Sequence, residues 1–213
     1  TATCTAASDS AITINVAQGT FTDTSGNPNS VAVQYDWSYD TTAPTLGIAM
    51  ASNNAQAATQ ATTGNNIVLT ITPTETVTAL VCTIDGEATT MGGSGTAWTS
   101  TLTLDGDETP GNAVFSCASF VDAAGNAGVT DTSATSGTVN IDYAVPTLGI
   151  VMSTSNSNSG LAKSGDNIIL TITPNEAVTA LVCTIDGEAT TMGGSGTSWT
   201  STLTLSGDET EQS

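Results

Sequence analysis

The chain has 213 residues, of which 20 are acidic and only one, Lys163, is basic, so its formal net charge is −19 at pH 7. It contains no histidine or arginine. This balance argues against nucleic acid as a partner, because phosphate recognition needs clustered basic side chains. Direct membrane insertion is not expected either, because no apolar run approaches the ~20 residues of a spanning helix.

Short strands in alternating patterns follow one another along the chain. In residues 67–71, for example, isoleucine and leucine alternate with valine and threonine, and a period of two is typical of half-buried strands. Glycine and asparagine clusters separate these runs. The predicted strands lie near 11–17, 31–39, 45–51, 66–73, 77–84, 87–91, 97–104, 113–121 and 137–143. Many short strands with regular turns predict an all-β chain of sandwiches.

A long internal repeat organises the sequence. Residues 79–96 recur letter for letter as residues 180–197, and residues 44–48 return as 146–150. The second pair is spaced by 102 residues, which is the size of one immunoglobulin-like sandwich. Residues 44–145 are therefore predicted to form one complete immunoglobulin-like domain.

The remaining residues are predicted to be two parts of a second, split domain. Residues 146–213 repeat the first two-thirds of the complete domain, and residues 1–43 resemble its closing strands, since 21–27 is similar to 120–126. Two routes would complete this domain. The chain is one period of a longer tandem array, or residues 1–43 of one copy fill residues 146–213 of an identical copy, head to tail. Such a contact does not close on itself and builds a filament. A truncated fragment with damaged ends is the alternative.

The four cysteines of this histidine-free chain predict two disulfides rather than a metal site. Cys82 and Cys117 lie on inward positions of two strands of the complete domain. Cys183 repeats Cys82, which leaves Cys4 of the next unit as its partner. The strand that carries Cys4 stays open, because Cys4 lies much further from the 23–27 loop than Cys117 lies from the 122–126 loop. Two free buried thiols are the alternative.

Several motifs resemble the bacterial immunoglobulin-like repeats of large surface adhesins and biofilm proteins. They are the segment Asp-Thr-Thr-Ala-Pro-Thr at 40–45, the Asp-x-x-Gly-Asn loops at 23–27 and 122–126, Glu-x-Val-Thr at 75–78 and 176–179, and Gly-Ser-Gly-Thr-x-Trp-Thr at 93–99 and 194–200. The resemblance implies extracellular or cell-surface modules in tandem arrays, without enzymatic activity. The cysteines and the split domain depart from that pattern.

The same resemblance implies that Ca²⁺ could be held at domain junctions, and no other cofactor is expected. Ca²⁺ requires several carboxylate and carbonyl oxygens. The candidate ligands are two acids before the junction prolines, two in the turn loops and two in a neighbouring loop: Asp40, Asp142, Asp23, Asp122, Asp85 and Glu87. The alternative is that these acids only form turns, which Asp does by bonding nearby backbone groups.

Catalysis is not expected, because without histidine or arginine no nucleophile has an evident activating base. Trp98 and Trp199 are expected to pack in cores, although an exposed tryptophan would serve as a platform for a sugar. The sequence thus predicts a structural subunit, or one repeat period, of an extracellular bacterial filament or adhesin stalk. The second hypothesis is a carbohydrate-binding or accessory module of a larger secreted protein, with a surface glycan as its ligand.

Overall fold

The computed structural model describes residues 8–207, which form strands, turns and loops. This part of the chain is all-β, as predicted, and contains no helix that could cross a membrane. It forms two compact units that divide between Tyr143 and Ala144. The strands of the first unit are β1 (Ser10–Ile14), β2 (Tyr35–Tyr39), β3 (Leu46–Ser52), β4 (Gln60–Ala61), β5 (Asn66–Pro73), β6 (Val81–Ile84), β7 (Glu87–Ala88), β8 (Thr90–Ser94), β9 (Ala97–Thr103), β10 (Gly111–Asn112), β11 (Phe115–Ala118) and β12 (Asn140–Ile141).

One layer of the first unit is a four-stranded antiparallel sheet in the order β3-β5-β9-β8. Its register pairs Ile48 with Ile71, and Ile71 with Trp98. Ile67 and Ile71 are fully buried while Thr70 is exposed, because successive side chains of a strand point to opposite faces. The sequence alternation thus decides which face of this sheet meets the core.

The opposite layer consists of two three-stranded sheets, β11-β6-β7 and β10-β12-β4. The side chains of both layers share one core, as in a β-sandwich. Its buried members are Ile48, Met50, Ala61, Ile67, Leu69, Ile71, Val77, Leu80, Cys82, Ile84, Leu102, Leu104, Phe115, Cys117, Phe120, Val139 and Ile141. The predicted disulfide joins Cys82 to Cys117, which face each other in the β6–β11 ladder.

Two predicted strands of the first unit are interrupted by residues with positive φ. The strand predicted at 77–84 begins at Val81, since Ala79 has φ 60°. The strand predicted at 113–121 is the shorter β11, which begins at Phe115 and ends before Ser119, at φ 63°. These values lie in the left-handed region, where extended pairing cannot continue.

Residues 8–43 form a hairpin with a long connecting loop. The predicted strands at 11–17 and 31–39 are the shorter β1 and β2, which pair antiparallel from Ser10 with Tyr39 to Ile14 with Tyr35. Within the loop, Thr22 forms a bridge with Pro28. We call residues 8–43 the closing segment.

The second unit repeats the four-stranded sheet of the first. Its strands are β13 (Leu148–Thr154), β14 (Asn167–Pro174), β15 (Thr184–Ile185), β16 (Glu188–Ala189), β17 (Thr191–Ser195) and β18 (Ser198–Thr204). The sheet order is β13-β14-β18-β17. Ile172 pairs with Ile150 and Trp199, just as Ile71 pairs with Ile48 and Trp98 in the first unit. β15 and β16 form only a two-stranded ribbon.

Candidate functional site

The hairpin of the closing segment has the register of the β10–β12 ladder in the complete sandwich. Ser10 pairs with Tyr39 as Gly111 pairs with Ile141, and the next pair along each ladder follows in the same order. β2 and β12 are also equivalent in sequence, because each ends directly before the aspartate of a junction. The β1–β2 hairpin therefore has the same antiparallel pairing as the β10–β12 ladder of the complete sandwich.

The loop of the closing segment repeats the backbone hydrogen bonds of its counterpart. The amide of Asp23 donates to the carbonyl of Asn27 at 3.0 Å, and that of Asp122 donates to the carbonyl of Asn126 at 3.1 Å. The Asp23 carboxylate also accepts from the backbone and side-chain nitrogens of Asn27, as the Asp122 carboxylate does from Asn126. The two Asp-x-x-Gly-Asn motifs therefore build the same loop.

Apolar residues of the closing segment are exposed where their counterparts are buried. Phe21 is 62% exposed, whereas Phe120, just before the equivalent loop, is 1% exposed. On β2, Trp37 is 61% exposed, while the equivalent Val139 is fully buried. Large exposed apolar patches on proteins commonly mark surfaces that another chain or ligand covers.

The second unit has a matching uncovered face. Ile150 and Met152 of β13 are 54% and 69% exposed, although their counterparts Ile48 and Met50 are 1% and 6% exposed. We call the inner surface formed by six side chains of this unit the open face: Ile150, Met152, Ile168, Leu170, Leu181 and Cys183. All six have counterparts in the core of the complete sandwich.

The complete sandwich shows which residues cover the face equivalent to the open face. The amide of Met50 donates to the carbonyl of Ser136 at 3.0 Å, and the amide of Thr135 donates to the carbonyl of Ile48 at 2.7 Å. Further along the same segment, the side chain of Val139 is fully buried in the core. Among residues 144–207, no segment takes the place of residues 113–141.

The strand that carries Cys183 is also without its neighbour. In the first unit β6 has four residues and pairs with β11, whereas β15 has two and begins only after Cys183. Cys183 is a half-buried free thiol. Its predicted partner Cys4 lies outside the described residues, so this pairing stays a prediction.

Two of the six predicted calcium ligands meet in one acidic group. Oxygens of Asp40, Asp122 and Glu75 lie within 4.8 Å of one another. Burial raises the pKa of Glu75, and the charges of Asp40 and Asp122 raise it further. Burial would also raise the pKa of Asp122, but hydrogen bonds from Asn126 and the loop backbone outweigh it and leave that pKa lowered. Sequence reasoning missed Glu75, although it opens the repeated Glu-x-Val-Thr motif.

Glu87 belongs to a second acidic group, with Asp107 and Glu108. Burial raises the pKa of Glu87, as does the charge of Asp107. Glu108 is buried and accepts a hydrogen bond from the Tyr143 hydroxyl. Asp85 is not in this group. It occupies the turn between β6 and β7 at φ 53°, and its carboxylate accepts from the amide of Thr109 at 2.7 Å.

Asp23 and Asp142 are in neither acidic group of the described residues. Asp23 lies in the exposed loop of the closing segment, where hydrogen bonds from Asn27 lower its pKa. In the second unit, Glu176 is the counterpart of Glu75, and its Oε1 is buried with no hydrogen-bond partner in the described structure.

The tryptophans divide between core packing and exposure. Trp98 is half-buried against the core, and its indole N–H donates to the carbonyl of Gly95 at 3.0 Å. Trp199 repeats this bond with Gly196 at 2.9 Å. Trp37 is exposed, so the expectation of core packing does not extend to it.

The chain matches no family model, and no curated protein is detectably similar to it.

Proposed function

We propose that the protein is a structural subunit that assembles head to tail with identical copies. The closing segment of one copy covers the open face of the next and completes an immunoglobulin-like sandwich there. The observation that carries this proposal is the pairing of two features within one chain. The second unit exposes the apolar open face. In the first unit the equivalent face is covered by residues such as Val139 and Phe120, and the counterparts of these residues in the closing segment are exposed.

The free energy for this contact comes from apolar burial. Ile150, Met152, Phe21 and Trp37 would each leave water, and burying a large apolar side chain is worth about 1.5–3 kcal/mol. Both faces lie on every copy but at different places, so the contact is heterologous and propagates into a filament or stalk. A chain in which copies continue covalently would complete its sandwiches in the same way.

The proposed location is extracellular, at a cell surface. The Cys82–Cys117 disulfide supports it, because such bridges persist in oxidising compartments. A net charge of −19 supports a solvated surface that does not associate non-specifically.

Calcium is the cation proposed for the acidic group of Asp40, Glu75 and Asp122. Three carboxylates supply the hard oxygen ligands that Ca²⁺ prefers, and backbone carbonyls or water would complete the shell. In a completed sandwich, Asp23 of a second copy would approach Glu176 as Asp122 approaches Glu75. Calcium would then stabilise the array as well as the single domain.

Sedimentation of the full chain over a range of concentrations tests the assembly. We expect mass to grow with concentration beyond the 21.2 kDa of one chain. Ile150→Asp should abolish this growth, because it places a charge in the contact. Val151→Asp is the matched control, since Val151 lies on the opposite face of β13 and is already exposed.

A chain that stays at 21.2 kDa at every concentration would contradict head-to-tail assembly. The denatured mass of the natural molecule distinguishes the two routes to a filament. A ladder that reductant collapses to single chains means subunits joined by a disulfide such as Cys4–Cys183. A mass of many repeats under both conditions means one continuous tandem chain.

A carbohydrate-binding module is the second candidate, and one observation favours it. Tyr35, Trp37 and Tyr39 alternate along β2 on one face, and all three are exposed. Aromatic rows of this kind present apolar rings on which sugars stack. Under this hypothesis Trp37→Ala would abolish binding to a glycan array and leave the sedimentation of the chain unchanged, whereas head-to-tail assembly predicts that it weakens association.

A further inference from the structure

We infer that residues 14–17 of one copy, which continue the chain from the end of β1, lie beside the Cys183 strand of a second copy in the register of β11 beside β6, so that Val16 faces Cys183. This inference rests on the proposed head-to-tail assembly and names its contact. It also differs from the cysteine count, which places Cys4 opposite Cys183.

The closing segment supplies the first half of the argument. Val16 accepts a hydrogen bond at its carbonyl from the amide of Ala32 at 3.0 Å. Cys117 accepts the equivalent bond from Asp131 at 2.9 Å. Continuing the hairpin register from Ser10 along β1 also brings Val16 to the position of Cys117. Two independent features, a ladder and a loop hydrogen bond, therefore identify the same counterpart.

The second unit supplies the other half. The Thr190 hydroxyl donates to the carbonyl of Cys183 at 2.9 Å, as the Thr89 hydroxyl donates to that of Cys82. Cys183 thus keeps the backbone position of Cys82, although its own strand is shorter. Since Cys82 pairs with Cys117 in the complete sandwich, Cys183 is predicted to pair with the counterpart of Cys117, which is Val16.

The equivalence has a physical limit at Tyr35. Its counterpart in the hairpin register is Gly137, which has φ 78° and whose added β-carbon would lie 2.1 Å from the carbonyl oxygen of Met50. A tyrosine cannot approach a neighbouring strand so closely. The backbone contact that residues 135–137 make with β3 in the complete sandwich is therefore not expected between residues 33–35 of one copy and β13 of the next. The inferred contact lies on the β15 side of the open face.

An engineered disulfide tests this register, because Cys183 already supplies one thiol. The test variant is Cys4→Ser with Val16→Cys, and the matched control is Cys4→Ser with Asn15→Cys, whose side chain points to the other face of the strand. Both full-length variants are incubated with oxidised glutathione and run on denaturing gels without reductant. We expect about tenfold more linked oligomer from Val16→Cys, because a disulfide needs β-carbons within about 4.5 Å. A further Cys183→Ser substitution should abolish the ladder.

Each outcome separates this register from the assembly itself. Equal cross-linking by the two variants, or no cross-linking in a chain that still sediments as a polymer, overturns the register and leaves assembly standing. A chain that neither cross-links nor polymerises overturns both.

Discussion

Single carboxylates respond to their neighbours in ways that composition alone does not show. The 20 acids are not evenly spread, and the carboxylate of Glu75 lies close to those of Asp40 and Asp122. The hydrogen bonds of Asp122 stabilise its ionised form, whereas burial and two like charges disfavour the ionised form of Glu75. A bound cation would therefore stabilise the ionised form of Glu75 more than that of Asp122.

Glu75→Gln is expected to change the pH dependence of stability. Because the folded state raises the pKa of Glu75, the stability linked to its protonation is present below the ordinary glutamate pKa and is lost as pH rises through the raised value. Without divalent cations, thermal denaturation of Glu75→Gln should therefore show a shallower loss of stability across that range than the unmodified chain. Added Ca²⁺ should raise the melting temperature of the unmodified chain and have little effect on the variant.

Glu87→Gln, which alters only the other acidic group, is the control for calcium binding at Glu75. Identical pH profiles for Glu75→Gln and the unmodified chain would contradict the like-charge interaction. A calcium response that survives in Glu75→Gln would contradict this residue's part in cation binding.

At the level of elements, the Cys183 strand differs from its counterpart in the first unit. Residues 181–183 precede β15 without pairing, whereas Cys82 and its neighbours pair with β11. Backbone amides without a partner strand exchange with solvent through low-energy local opening.

Hydrogen exchange should detect completion of this strand. In the non-assembling variant Ile150→Asp, amides of residues 181–183 should exchange rapidly, and assembly of the unmodified chain should slow them. Residues 81–83, which are already paired, serve as the internal control and should be protected in both. Equal exchange of 181–183 in the two samples would show that no strand is added there.

The sequence predicted most strands because their alternation of apolar and polar residues is local information. The eight-residue β5 lies at its predicted position, and the disulfide followed from two inward cysteines on neighbouring runs. Two of the errors lie at Ala79 and Ser119, where residues other than glycine adopt positive φ, so that β6 begins late and β11 ends early. No composition rule marks these positions, because tertiary packing imposes their conformation.

The acidic group was only partly predictable for a different reason. Asp40 and Asp122 carry turn motifs that mark them as candidates, but Glu75 reaches them only through the folded arrangement of the chain. Spacing in sequence therefore could not bring the three carboxylates together.

On the scale of the whole molecule, apolar attraction must overcome mutual repulsion between copies. Each chain carries a formal charge of −19, so association of identical chains is unfavourable at long range and weakened further at low ionic strength. The contact must therefore be short-range and apolar, as the open face and the closing segment are.

Mixing two singly blocked chains tests head-to-tail completion most directly. Ile150→Asp blocks the open face and leaves the closing segment intact, while Trp37→Asp does the reverse. Both residues are exposed in the single chain, so neither change should unfold it. We predict that each variant alone sediments as a 21.2 kDa monomer and that an equimolar mixture forms a dimer of twice that mass and nothing larger. A mixture that stays monomeric while the unmodified chain polymerises, or variants that polymerise alone, would contradict completion of one copy by the next.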